Sequence, residues 1–305
     1  MTRITANLLL ILIAMVWGSA FVAQNHGMSH IGPMLFTGLR FLLGTLVVTP
    51  LVLLEGRRRG PQRRRLQRQD VLQVCGLGLL LGAGAALQQI GIASTSVTNA
   101  GFLTAIYVPM VPLLGWALLR HVPHWSVVPG VLACLIGAYL LSGAQGLEMR
   151  AGDLWVIASA IPWAFHVLLV GRVAERLDAP FFVAWGQFLV CGLVALGWAA
   201  VTEPLEWQSV VEASVPLAYT GIVSVGFAFT AQVVAQRYAH ATDAAIVLSS
   251  ETLFAALSGY WWMGDRIGTR GVAGCALIFI SMLAVQLLAF KRPEPATETP
   301  APGRA

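Results

Sequence analysis

Residues 82–100 read GAGAALQQIGIASTSVTNA, and residues 226–244 read GFAFTAQVVAQRYAHATDA. At an offset of about 144 positions Gly82 falls on Gly226, Gln88 on Gln232, Thr98 on Thr242 and Ala100 on Ala244, with polar Asn99 on polar Asp243. The register continues downstream, where Leu113 meets Leu257, Gly115 meets Gly259 and Gly130 meets Gly274. Single identities are common in apolar sequence. A Gln pair and a Thr-[Asn/Asp]-Ala pair in one register are not, and they divide the chain into two related halves.

Both stretches lie inside long apolar runs. The chain has 305 residues, 57% hydrophobic and only 11% charged, with mean hydropathy +0.74. A soluble domain carries about 25% charged residues, so this chain cannot coat a water-facing surface of its size. Soluble enzyme, secreted disulfide scaffold and disordered protein are excluded. Runs of about 18 or more apolar residues, the length of a membrane-crossing helix, fall at 4–24, 32–54, 71–92, 97–119, 126–143, 153–172, 181–201, 214–237, 242–263 and 268–290. These runs do not alternate, which argues against a transmembrane barrel. Cys75, Cys134, Cys191 and Cys275 all lie within them, with no C-x-x-C spacing, and read as small packing residues rather than metal ligands. The expected fold is all-α and integral to the membrane, ten helices in two halves, 1–145 and 146–290. The Pro-rich tail at 291–305 is expected to be disordered and cytoplasmic.

Basic residues set the orientation. With the N-terminus inside, 15 of the 19 Lys and Arg fall on the inner side, including Arg3, Arg57, Arg68, Arg120, Arg172, Arg176 and Arg237. Only Arg150, Arg266 and Arg270 fall outside, and Arg40 lies within a span. Both termini are therefore expected in the cytoplasm, with the protein in the plasma (inner) membrane. The Arg57–Arg68 cluster carries no interleaved aromatics for base stacking, so it reads as a topology signal against lipid headgroups rather than a nucleic-acid site.

Five being an odd number, the two halves run in opposite directions through the bilayer. Inverted repeats build many secondary transporters, with the substrate site near the midplane between them. Trp17-Gly18-Ser19-Ala20-Phe21-Val22 in the first span and Leu39-Arg40-Phe41-Leu42-Leu43 in the second, set in ten spans, resemble the drug/metabolite transporter superfamily, and within it the EamA-like exporters. The resemblance covers about residues 1–290. It implies a ten-helix fold around a central cavity and export of amino acids, other metabolites or drugs. Members often close the fourth and ninth spans with Leu-Gly-Glu and an Arg; here the ninth closes Met263-Gly264-Asp265-Arg266 and the fourth Leu119-Arg120-His121, and Thr252 stands where a proline is frequent.

Candidate site residues follow from depth and chemistry. Glu251 sits near the middle of the ninth span, where a charged acid costs about 2.5–3.5 kcal/mol on insertion scales. A cation partner or a bound proton would compensate, the second suiting proton coupling or recognition of a substrate amine. Arg40 is charged at any relevant pH and can grip a carboxylate bidentately, pair with Glu251, or hold the fold. Tyr107 is the repeat partner of Glu251, on a span that Pro109 and Pro112 are expected to loosen; Pro162 is a similar hinge candidate in the sixth. Gln88 and Gln232 can bond an amino acid's polar groups or each other. Trp17 and Trp163 can form an aromatic wall, His166 can relay protons, and Asn99 and Asp243 are placed to cap helices. No phosphate-binding Gly loop, no H-E-x-x-H and no second intramembrane carboxylate is present, so neither ATP drive, metal nor cofactor is expected. The expected activity is export of small amphipathic metabolites, amino acids foremost, by alternating access and with a proton as candidate partner. Uptake of a sugar or nucleoside and a non-transporting membrane enzyme or assembly factor are the alternatives.

Overall fold

The computed structural model describes residues 1–58, 66–120, 125, 127–141, 151–264 and 268–291. His121, Arg150, Asp265, Arg266, the arginines at 59 and 63–65 and the tail beyond Lys291 lie outside the described residues. Each expected span is present as helix. The first three are α1 (Arg3–Gly27), α2 (Pro33–Arg58) and α3 (Arg68–Ile92). The fourth is divided into α4 (Val97–Thr104) and α5 (Tyr107–Leu119), and the fifth is α6 (Val127–Leu141). The sixth and seventh are α7 (Ala151–Leu177) and α8 (Pro180–Thr202), followed by a short loop helix, α9 (Trp207–Glu212). The eighth runs as α10 (Ser214–Ala218), a π-helical stretch (Tyr219–Phe229) and α11 (Thr230–Ala235). The ninth comprises α12 (Ala241–Leu248), α13 (Glu251–Ser258) and a second π turn (Gly259–Met263), and the tenth is α14 (Thr269–Lys291). Seven stretches are long and apolar enough to cross a bilayer, and the fifth and tenth are shorter over their described apolar parts, Val127–Leu140 and Thr269–Ser281.

The interruptions fall at repeat-equivalent places, Ala105–Ile106 in the fourth span and Ser249–Ser250 in the ninth. Different chemistry produces each. Pro109 has no N–H for the carbonyl of Ala105, and its ring crowds that carbonyl, so the helix resets one turn upstream and Pro109 falls in the first turn of α5, where proline costs nothing. The ninth span has no proline here. Instead Ser249 and Ser250 each turn a hydroxyl back onto the carbonyl three residues earlier, on Ile246 and Val247, both at 2.7 Å, and Thr252 bonds the Ser249 carbonyl at 2.8 Å. Both spans also end in left-handed backbone at equivalent residues, Arg120 (φ 54°) and Gly264 (φ 72°). Pro162 makes no such break, and α7 continues through it.

Packing follows the repeat. Span two lies along span seven, five along ten and four along nine, while three meets six and seven as eight meets one and two. The two-seven pair is locked by one device used twice. Glu203, at the end of α8, accepts from the Met34 and Leu35 amides of α2 at 2.9 and 2.7 Å. Glu55, in the last turn of α2, accepts from the Phe181 and Phe182 amides of α8 at 3.4 and 3.0 Å. Each helix begins with a proline, Pro33 or Pro180, so the carboxylates take the first free amides and neutralise the positive helix ends. Gly78 carries the close approach of α3 to α8, since a Cβ there would lie 2.6 Å from that of Val190.

Removal of either capping carboxylate should cost about 1 kcal/mol, as for other lost helix caps. Glu55→Ala and Glu203→Ala are expected to lower the thermal unfolding midpoint of the detergent-solubilised protein to a similar extent, and together by more than either alone. An unchanged midpoint in both single variants would contradict this assignment.

Candidate functional site

Helices from both halves surround a central cavity. Seven of the eight side chains named as substrate-binding or coupling candidates line it: Trp17 from α1, Arg40 from α2, Gln88 from α3, Tyr107 from α5, Trp163 from α7, Gln232 from α11 and Glu251 from α13. Gln24, Thr104, Ser224 and Phe229 also line it and had drawn no attention in the sequence.

The interrupted spans deliver the first two functional groups. Tyr107 and Glu251 are each the first helical residue after a break, so the repeat sets them at equivalent points of the two halves. Glu251 is 5% exposed, and its carboxyl makes no hydrogen bond or ion pair with any described residue. At the first position of α13 a negative charge is favoured by the helix end. Gly18 holds the site together from the other side: a Cβ there would come within 2.7 Å of the Glu251 carbonyl oxygen and of the Ala255 amide. The glycine that follows Trp17 thus seats α1 directly on α13. The Tyr107 hydroxyl reaches only a long contact, 3.5 Å, with the Ala245 carbonyl.

Arg40 is equally buried, at 4% exposure. Its Nη1 donates to Gln24 Oε1 at 2.7 Å, its guanidinium carbon lies 5.2 Å from the Phe41 ring centre, and its Nε is unpartnered. Among the described residues it forms no ion pair, with Glu251 or any other acid. The cavity therefore holds a cation and an acid that do not neutralise one another. Between the halves stands an aromatic stack: Phe229 lies 4.4 Å from Trp17 and 6.0 Å from Trp163, nearly parallel to the latter at 17°. The indole N–H groups of both tryptophans lack partners. Gln88 donates to Thr104 Oγ1 at 2.9 Å, whereas Gln232 Oε1 is unpartnered, and the two glutamines make no bond to each other.

His166 is the exception. It is fully buried behind the cavity, bonded to Gln187 Oε1 at 2.8 Å and set edge-on to Trp163, so it supports the aromatic wall and does not face substrate space.

Polar clasps lie at both ends of the cavity. Arg3 of α1 pairs with Asp243 of α12. In the other half Asp153 of α7 accepts from Thr95 Oγ1 at 2.5 Å and from Asn99 Nδ2 at 2.9 Å. Asn99 and Asp243 are repeat partners, and α1 and α7 begin on opposite faces because five spans separate their starts. Neither residue is a helix cap, as the sequence had suggested: Ser96 caps α4, and His240 holds the cap position of α12.

The sequence profile described as the EamA-like transporter family matches residues 4–143 and again 150–287. An "uncharacterized transporter" of Archaeoglobus fulgidus is 26% identical over 93% of this chain and 87% of its own length. The uncharacterized transporter YoaV of Bacillus subtilis is 21% identical, covering 88% and 92%. An S-adenosylmethionine/S-adenosylhomocysteine transporter of Chlamydia muridarum is 23% identical over 65% of this chain and 64% of its own. A solved crystal structure superposes with a TM-score of 0.76 at 20% identity, covering 94% of this chain and 98% of that one. With ten helices in two inverted halves around a polar, aromatic-walled cavity, this chain belongs to the EamA-like transporter family.

Proposed function

We propose that this transporter exports a small zwitterionic metabolite with an apolar or aromatic face, an amino acid or a close relative, from the cytoplasm across the plasma membrane. The observation that carries the reading is the pair of buried ionisable side chains, Arg40 and Glu251, unpaired with one another and opening on one cavity beside the Trp17–Phe229–Trp163 stack. A substrate carboxylate on the Arg40 guanidinium and a substrate amine at Glu251 would neutralise both at once. Gln88, Gln232 and Ser224 offer further hydrogen bonds, and the rings take the side chain. An amino acid bearing a nucleoside suits the same features, with its base on the aromatic stack. The chlamydial relative's name favours including such compounds in any test.

The two clasps suit alternating access. Release of Arg3 from Asp243 frees spans one and nine at the face that carries the N-terminus; release of Asp153 from Thr95 and Asn99 frees spans six and four at the opposite face. Both clasps are closed here. A proton on Glu251 would stand in for the substrate amine on the return step, which gives export a coupling ion. The excess of arginine on loops of the N-terminal face supports a cytoplasmic position for both termini. The chain acts as a carrier rather than as an enzyme.

Counterflow in proteoliposomes tests the reading, using labelled amino acids and S-adenosylhomocysteine, with and without a proton gradient. Accumulation of at least one compound is expected. Arg40→Ala should weaken its apparent affinity by about tenfold or more, in line with the loss of a charged hydrogen bond. Glu251→Gln should abolish the effect of the gradient while the protein remains folded. Indifference of transport to both substitutions would sink the proposal, and so would failure of every labelled compound to accumulate.

The clasps carry a separate expectation. In sealed vesicles, a Ser224→Cys reporter in the cavity should label faster from the N-terminal face when Arg3→Gln is added, and faster from the opposite face when Asp153→Asn is added. Labelling that changes on both faces, or on neither, would contradict the gating roles.

A further inference from the structure

A second, larger hollow lies away from the central cavity, on the outside of the bundle between α3 and α7, with about 1010 Å³ of non-atom space. One helical stripe from each element builds it. Gln73, Gly76, Leu77 and Leu80 come from α3, and Leu169, Arg172, Val173 and Arg176 from α7, each set spaced three or four residues apart on one face. The groove spans about two turns, some 10 Å along the helices. Its floor is apolar, and its polar groups gather at one end, where α3 begins and α7 finishes.

The charged residues that line the groove are of one sign. No carboxylate lines the groove. Arg176 is engaged by Asp70 at 3.1 Å and by Gln73, yet its side chain stays 44% exposed. Arg172 has no hydrogen bond or ion pair to any described residue, and it is exposed. The surface at Gly76 is open, since a Cβ there would meet nothing within 4 Å.

We propose that this groove is a binding site for one anionic phospholipid of the leaflet on the N-terminal face. Its phosphate sits on the guanidinium of Arg172, with Arg176 beside it, and an acyl chain lies over Leu77, Leu80, Leu169 and Val173. A guanidinium matches phosphate in geometry and retains its charge at the membrane surface, and each such basic residue attracts an anionic lipid by about 1 kcal/mol. The groove joins spans three and six, one of the contacts between the two halves, so a lipid held there bridges elements that alternating access would move. The site itself does not depend on the identity of the transported substrate.

Native mass spectrometry of the delipidated full-length protein, titrated with phosphatidylglycerol or with phosphatidylcholine of the same acyl chains, tests it. One phosphatidylglycerol molecule should bind in clear preference. Arg172→Gln should reduce that affinity about fivefold, the equivalent of one basic contact. Gly76→Trp, which fills the groove and leaves every charge in place, should reduce it at least as much, whereas Arg57→Gln should leave it unchanged. Glycerol phosphate should fail to displace the lipid, because it lacks the chain that fills the groove. Equal retention of the two lipids would overturn the proposal. So would a phosphatidylglycerol preference that survives both groove variants, since the arginines of the α2–α3 connection would then account for it, and so would full displacement by glycerol phosphate.

Discussion

Burying a guanidinium and a carboxyl in the middle of an apolar bundle, without letting them meet, is the constraint on which the arrangement turns. Each carries a cost of about 2.5–3.5 kcal/mol at such depth. A direct ion pair would relieve both and leave nothing for a ligand to do. Arg40 is held instead by the neutral oxygen of Gln24 and the rings of its neighbours, and Glu251 by its place at the start of a helix segment. The site is thus strained by desolvation in a way that a zwitterion relieves, which makes binding energy available from groups whose positions are already fixed.

The scaffold tolerates this because the helix breaks beside the site are themselves buried, with Ala105, Ser249 and Ser250 at most 1% exposed. A bilayer admits broken helix only when side chains or neighbouring helices satisfy the freed groups. The breaks at Ala105–Ile106 and Ser249–Ser250 meet that condition by unlike means, a proline reset in one half and back-bonding hydroxyls in the other. Repetition of position with change of chemistry recurs throughout. Glu55 and Glu203 cap reciprocal helices in the same manner, while the two clasps use different residues, Arg3 with Asp243 in one and Thr95 and Asn99 with Asp153 in the other.

Much of this was legible in the sequence. Span positions followed from hydropathy, and the offset of about 144 positions linked Tyr107 to Glu251 and Gln88 to Gln232 before any contact was known. That register holds across the later spans of each half and drifts across the first two, because the loops between them differ in length. The match of Glu55 to Glu203 and of Trp17 to Trp163 is hidden for that reason. Phe229 could not be found by symmetry, since its counterpart at the same offset is Ala85. Gln24, Thr104 and Ser224 are single polar residues in apolar helices, indistinguishable by pattern from Gln89 or Thr230, which do not line the cavity. Depth in the membrane is readable from sequence, but the side of the helix is not: His166 bonds to Gln187 and does not line the cavity. The π-helical stretch from Tyr219 to Phe229 has no periodicity signal of its own, yet it carries both Ser224 and Phe229 into the cavity.

The central claim is that one ligand sits between Arg40, Glu251 and the aromatic stack. The most direct measurement is an electron cryomicroscopy map of the protein saturated with whichever compound it transports. Ligand density with its carboxylate on Arg40, its amine toward Glu251 and its apolar portion against Phe229 is the predicted result. Density elsewhere, or an Arg40–Glu251 ion pair closed across an empty cavity, would contradict it.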